Sequence, residues 1–141
     1  MFRPFRGNFH VEWIPKKAST EMAVGDLLYA DGSGAAQPAD ATSGDHLGVL
    51  QEAVTSSDSD YADNTKVPVL VGDANAEWLV DVGTGTLTTA MVGNRYDLKD
   101  ENEIDVSATS KKVVTVTQFV SASKAVVKIN AMVSAADVAT T

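Results

Sequence analysis

Apolar residues recur at every second position over short stretches of this chain, and turn-forming clusters interrupt them roughly every eight to twelve residues. A period of two sends successive side chains to opposite faces, so each stretch predicts a half-buried strand. The organising segment is 24–54, VGDLLYADGSGAAQPADATSGDHLGVLQEAV. A turn at Gly25-Asp26 opens the apolar run Leu27-Leu28-Tyr29-Ala30, and Asp31-Gly32-Ser33-Gly34 closes it. A weak small-residue strand leads to a turn at Ser43-Gly44-Asp45, and a further strand runs from His46 or Leu47 to Val54. Glycine reaches positive φ without a Cβ clash, and the neighbouring Asp and Ser bond the local backbone, so each cluster is a turn with a mechanism.

Upstream, Phe9, Val11 and Trp13 alternate with His10, Glu12 and Ile14, which predicts a strand ended by Pro15. Pro4 and Gly7 argue against a helix before it. Residues 1–17 therefore read as an N-terminal arm and first strand, with two roles open. The strand caps the domain's own core, or the arm is anchored on a neighbouring subunit or shell.

Downstream, 55–64 is a polar loop dense in acids. Lys66 to Val71 is a strong strand, and its Pro68 predicts an edge or bulge position. The turn Gly72-Asp73-Ala74-Asn75 leads to Glu77–Val82, with Trp78, Val80 and Val82 on one face, and the two strands read as a hairpin. Leu87–Val92 suits one helical turn; Arg95–Leu98 and Glu103–Val106 suit short strands around a charged turn. In the long run Lys112–Val120, Val114, Val116, Gln118 and Val120 share a face, and Lys124–Ala131 returns with Val127 and Ile129 inward. Residues 132–141 fade into Ala, Ser and Thr, a weakly ordered tail or a second docking strap. The expectation is one all-β domain over 18–131: a small antiparallel barrel or sandwich of about eight or nine short strands, with at most one short helix.

Composition narrows the function. At 141 residues the chain holds a real core, and Ala, Val, Leu and Thr rather than aromatics supply it. With no cysteine, a disulfide framework, a thiolate metal site and a thiol nucleophile are all excluded. No apolar run is long enough to cross a bilayer, and 1–17 lacks the apolar core of a signal peptide, so the expectation is no membrane and no export address. The net charge of −8 is uneven: Arg3, Arg6, Lys16 and Lys17 against Glu12 leave the first seventeen residues basic, and the remainder strongly acidic. An acidic body repels phosphate backbones, which argues against a nucleic-acid partner. The basic leader, with four of the chain's nine aromatics, suits a protein surface instead. Its candidate partner-binding residues are Phe2, Arg3, Phe5, Arg6, Phe9, Trp13, Lys16 and Lys17.

Catalytic patterns do not emerge. His10 and His46 are not paired by chain order, and nucleophile-elbow, zinc-helix and dinucleotide motifs are missing from the sequence. Gly83-Thr84-Gly85-Thr86 lacks the Lys-Ser/Thr ending that holds phosphate and magnesium, and reads as a turn. Asp58, Asp60 and Asp63 offer hard oxygen ligands, but the loop lacks the glycine and distal glutamate of an EF-hand, so a solvated acidic loop is the reading. Asp97, Asp100, Glu101 and Glu103 sit in or beside a turn, where they serve solubility. The expectation is no enzyme, no cofactor and no metal.

Gly25-Asp26-Leu27-Leu28, the small-residue linker, Gly44-Asp45-His46-Leu47-Gly48-Val49-Leu50, Met91-Val92-Gly93-Asn94-Arg95-Tyr96-Asp97-Leu98 and the closing Val-rich hairpin carry a resemblance. Over roughly residues 20–131 the chain resembles the decoration, or cement, proteins that bind the outside of tailed-bacteriophage capsids. The resemblance implies a compact β domain, commonly a homotrimer, on the threefold or quasi-threefold axes of a major capsid protein lattice. It implies a virion location on the outer capsid surface, after a period in the host cytoplasm, and no catalytic residues. Two other readings stand beside it: another virion β-module, such as a tail-tube or fibre component, and a carbohydrate-binding domain or hydrolase.

Overall fold

The computed structural model describes residues 1–43 and 46–130. The expected tail over 132–141, and Gly44 and Asp45 of the expected turn, lie outside the described residues. Among the described residues eleven strands follow one another: β1 (Arg3–Arg6), β2 (Phe9–Pro15), β3 (Leu27–Ala30), β4 (Ala36–Pro38), β5 (His46–Leu50), β6 (Lys66–Gly72), β7 (Glu77–Thr84), β8 (Arg95–Leu98), β9 (Glu103–Asp105), β10 (Val114–Ser121) and β11 (Lys124–Ile129). Among the described residues a single 3₁₀ turn, Thr89–Met91, lies inside the predicted helical turn. The chain is nearly all β, as its periodicity predicts, with more strands than the eight or nine expected.

The strands form two sheets. In the first, β7-β11-β10-β8-β9 pair in order and β9 returns to β7, closing a five-strand barrel, with β1 appended to β7. The second runs β2-β6-β5-β3-β4, and its two ends touch at a bridge between Lys16 and Ala36. Five is odd, so antiparallel neighbours all the way round cannot close. One contact must be parallel, and in each sheet the closing contact is: β7 with β9, and Lys16 with Ala36.

Register explains the cores. Val116 faces Val127, Val127 faces Trp78, Ala125 faces Val80, Val114 faces Tyr96, and Leu98 faces Ile104. All of these are buried, and one alternating face of every barrel strand fills a single interior. The second sheet buries Ile14, Leu28, Leu47, Leu50, Val67, Val69 and Val71 in a separate cluster. Its other face lends Leu27 and Val49 to the barrel core.

Three expectations change here. First, residues 1–6 are not an extended arm: β1 pairs with β7, and Phe2 is 1% exposed in the barrel core. The Phe2 N–H donates to the Gly25 carbonyl at 2.9 Å, which ties the leader to the first turn of the organising segment. Second, β6 and β7 are not a hairpin. β6 pairs with β2 and β5, whereas β7 belongs to the barrel. The turn after Gly72 passes the chain between sheets, held by Ala76 N–H to the Asp73 carbonyl (3.1 Å) and Asn75 N–H to Asp73 Oδ1 (3.0 Å). Third, Pro68 lies on a central strand rather than an edge. Gln51 N–H donates to the Pro68 carbonyl at 3.0 Å just past the end of β5. The missing proline N–H thus falls on the last rung of that ladder, where little is lost.

In β10 the register shifts between Val116 and Gln118 and again between Phe119 and Ser121. The extra residues break the predicted alternation: Gln118 and Val120 turn outward, and Phe119 packs against the barrel core.

Candidate functional site

The eight residues singled out from the sequence separate into three groups. Phe2 and Lys16 are buried at 1% exposure and belong to the interior, so neither offers a surface. Lys16 begins where β2 ends, and its ammonium turns into the acidic loop, donating to the carbonyls of Asp60 (2.8 Å), Tyr61 (3.2 Å) and Asp63. The loop therefore does wrap a cation, but the cation is the chain's own lysine and the ligands are backbone oxygens. Among the described residues no group of three or more His, Cys, Asp or Glu side chains is placed to hold a metal ion.

The second group lies on β1. Its register slips between Pro4 and Arg6, and the bulged residue is Phe5, which is 45% exposed. The Arg6 guanidinium sits 5.3 Å from the Phe5 ring centroid and also grips Glu77 through Nε (3.1 Å) and Nη2 (3.3 Å). Glu77 accepts a further bond from Thr117 Oγ1 at 2.7 Å, on β10. Those bonds, that from Thr117 before that from Arg6, hold the Glu77 carboxyl below its usual range. Arg6 is fixed as a result, and its aromatic neighbour is fixed with it. Arg3 is exposed on the same strand, its Nε within 3.1 Å of the Met1 sulfur.

The third group lies on β2. Phe9 packs edge-to-face on Trp78, ring centroids 5.0 Å apart, and so joins the second sheet to the barrel. Val11 and Trp13 continue the same face outward at 50% and 59% exposure, with Leu70 and Pro68 as cross-strand neighbours. On the opposite face His10 Nε2 lies 2.8 Å from Glu12 Oε1. Lys17, just beyond the end of β2, is exposed and donates to Gln37 Oε1 at 3.1 Å.

No protein-family model matches the chain, and no curated protein matches it. What the surface can do therefore rests on its own chemistry. Exposed apolar side chains on rigid strands, bordered by arginine, are the composition that protein interfaces enrich. Two hollows on the surface are open. One, about 470 Å³, is bordered by Arg95, Tyr96, Thr109 and Lys112; the other, about 360 Å³, by Asp26, Pro38, Val54 and Glu101. His46 is buried beside Ser43 Oγ (3.1 Å), inside the second sheet and away from either hollow.

Sequence reasoning placed Asp97 among the solubilising turn carboxylates, and the structure buries it in β8. It is 5% exposed, and its carboxylate accepts from Lys111 N–H (2.7 Å), Lys112 N–H (2.8 Å), and Ser110 N–H and Oγ (3.2 and 3.1 Å). It is a structural clamp on the 110–112 turn, which lets Lys112 adopt a φ of 53°. The available signal was its place in a Tyr-Asp-Leu strand, where an acid between buried apolar residues needs partners.

Proposed function

We propose that this protein is a non-enzymatic structural component that binds the outer surface of a bacteriophage capsid and stabilises the shell. The observation that carries the reading is Phe5. A bulge holds its ring outside the barrel, Arg6 and Glu77 fix it there, and Arg3 stands exposed on the same strand, on a body with a net charge of −8. The aromatic ring supplies burial, about 1.5–3 kcal/mol when fully covered, and the arginines steer it toward acidic loops of a major capsid protein. Modest contacts of this kind reach tight occupancy when repeated over a symmetric lattice. A body already locked by a closed barrel and a second packed sheet loses little conformational freedom on docking.

The test is co-sedimentation with shells of the tailed phage whose genome carries the coding sequence. Wild-type protein saturates the shells at a fixed copy number and raises their resistance to heating. Phe5→Ala with Arg3→Ala lowers occupancy at least tenfold while the free protein keeps its melting temperature. Binding unchanged in that variant rejects β1 as the contact, and failure of the wild type to bind rejects the function.

A further inference from the structure

The outer edge of β2 has a definite hydrogen-bonding phase. Lys16 N–H donates to the Thr65 carbonyl and Asp73 N–H to the Asn8 carbonyl, both in the register that pairs β2 with β6. In an antiparallel ladder, bonded and non-bonded pairs alternate. His10, Glu12 and Ile14 therefore direct their backbone groups at β6, whereas Phe9, Val11 and Trp13 direct theirs away from it. Among the described residues no hydrogen bond reaches those outward groups.

Such edges are normally guarded by proline, charge or a bulge. β1, at the edge of the barrel sheet, has all three: Pro4, the pair Arg3 and Arg6, and the bulge at Phe5. From Phe9 to Trp13 β2 has neither proline nor bulge, its one carboxylate, Glu12, is engaged with His10, and Val11 and Trp13 are exposed; Pro15 and the bridge from Lys16 to Ala36 guard the edge only beyond Trp13.

We infer that β2 is a homodimerisation strand: a second copy of this chain adds its own β2, antiparallel, across a twofold axis through Val11. The segment FHVEW, residues 9–13, is complementary to itself in that register. Val11 meets Val11 of the other copy, and Phe9 meets its Trp13, all with backbone groups aimed at one another. His10 lies opposite Glu12 in both directions, in the non-bonded pairs where side chains approach most closely. Neighbouring registers fail for stated reasons. An axis through Glu12 sets that carboxylate against itself, and one through His10 sets imidazole against imidazole and leaves Trp13 beyond Phe9. A slip of one residue opposes outward backbone groups to inward ones. The pairing is isologous, so it closes at two copies and does not propagate into fibres. It does not depend on shell binding, whose proposed contacts lie on β1.

Light scattering after size exclusion reads the outcome. The protein elutes at twice the chain mass at concentrations near 100 μM. Glu12→Lys takes the carboxylate out of both cross-strand pairs and raises the dimer dissociation constant about tenfold, and the double variant His10→Glu, Glu12→Lys puts a carboxylate opposite an ammonium in both and restores it. Register is read by disulfide trapping in this cysteine-free chain. Mixing His10→Cys chains with Glu12→Cys chains gives a linked dimer under mild oxidation, and either alone gives far less. A monomer at every concentration, a threefold mass, a dimer indifferent to Glu12→Lys, or equal linking in all three mixtures overturns the proposal.

Discussion

The Lys16 ammonium donates to the backbone carbonyl of Asp60 at 2.8 Å, across 44 residues of chain. With the Tyr61 and Asp63 carbonyls it ties the end of β2 to the acidic loop, and Asn64 Nδ2 returns a bond to the Lys16 carbonyl at 2.8 Å. A buried ammonium with three acceptors is expensive to remove, because the acceptors are left with nothing to receive. Lys16→Met keeps the stem and deletes the donors. We expect it to cost about 2–4 kcal/mol in urea unfolding, and to free the 58–64 loop for proteolysis before the rest of the domain opens.

Asp97 gives the acid limb of stability. Burial pushes its pKa up, but bonds from Lys112, Lys111 and Ser110 outweigh burial and leave the group below its ordinary value of 3.8. A folded value below the unfolded one stabilises the fold above about pH 4, and that contribution is lost as pH falls through the folded value. Asp97→Ala, which strands the Lys111 and Lys112 N–H groups, is expected to cost about 2–4 kcal/mol at pH 7. The difference from wild type narrows at pH 2–3, measured by thermal unfolding across that range.

Much of the strand inventory was legible because period-two alternation and Gly/Asp turns are local signals. The segment Leu27–Ala30, the weak strand around Ala36 and the return strand after Lys124 all fall where those signals put them. Partner choice was not legible. Glu77–Val82 follows Lys66–Val71 at hairpin distance, yet Trp78 belongs to the barrel interior and Val69 to the other core, a division that no window of ten residues contains. The leader misled for a related reason. Phe2 and Lys16 look like exposed anchors beside Arg3 and Lys17, but each is claimed by residues distant in sequence, Gly25 in one case and the 60–63 carbonyls in the other. Phe5, on the bulge of β1, and Trp13, opposite Pro68 on the outer face of β2, remain outside.

The leader consequently contributes to the fold. Phe2→Ala opens a void in the barrel core and is expected to cost about 3–5 kcal/mol. Gly25, at φ +93°, has Met1 packed where a Cβ would stand, so Gly25→Ala is strained on both counts and costs about 1–2 kcal/mol. Deleting residues 1–7 removes β1 and Phe2 together, so the truncated chain melts well below wild type. Point variants on the exposed face, Phe5→Ala and Arg3→Ala, leave that melting temperature unchanged, which is why they report on docking and the deletion does not.

Asp26 runs against the usual sign. It is 4% exposed, and burial raises its pKa above 3.8; the Ala23 N–H, donating at 2.8 Å, pulls the other way, and the nearby Glu101 and Asp100 carboxylates raise it again. A carboxyl whose folded pKa lies above its unfolded value destabilises the fold wherever it is ionised, and the fold recovers that loss as pH drops through the folded value and the proton is taken up. Asp26→Asn keeps an oxygen for the Ala23 N–H and removes the charge. We expect the variant to melt roughly 2–4 °C above wild type at pH 7, with the gain shrinking as pH falls toward 4. A gain that stays constant between pH 7 and pH 4 would show that the charge of Asp26 is not its source.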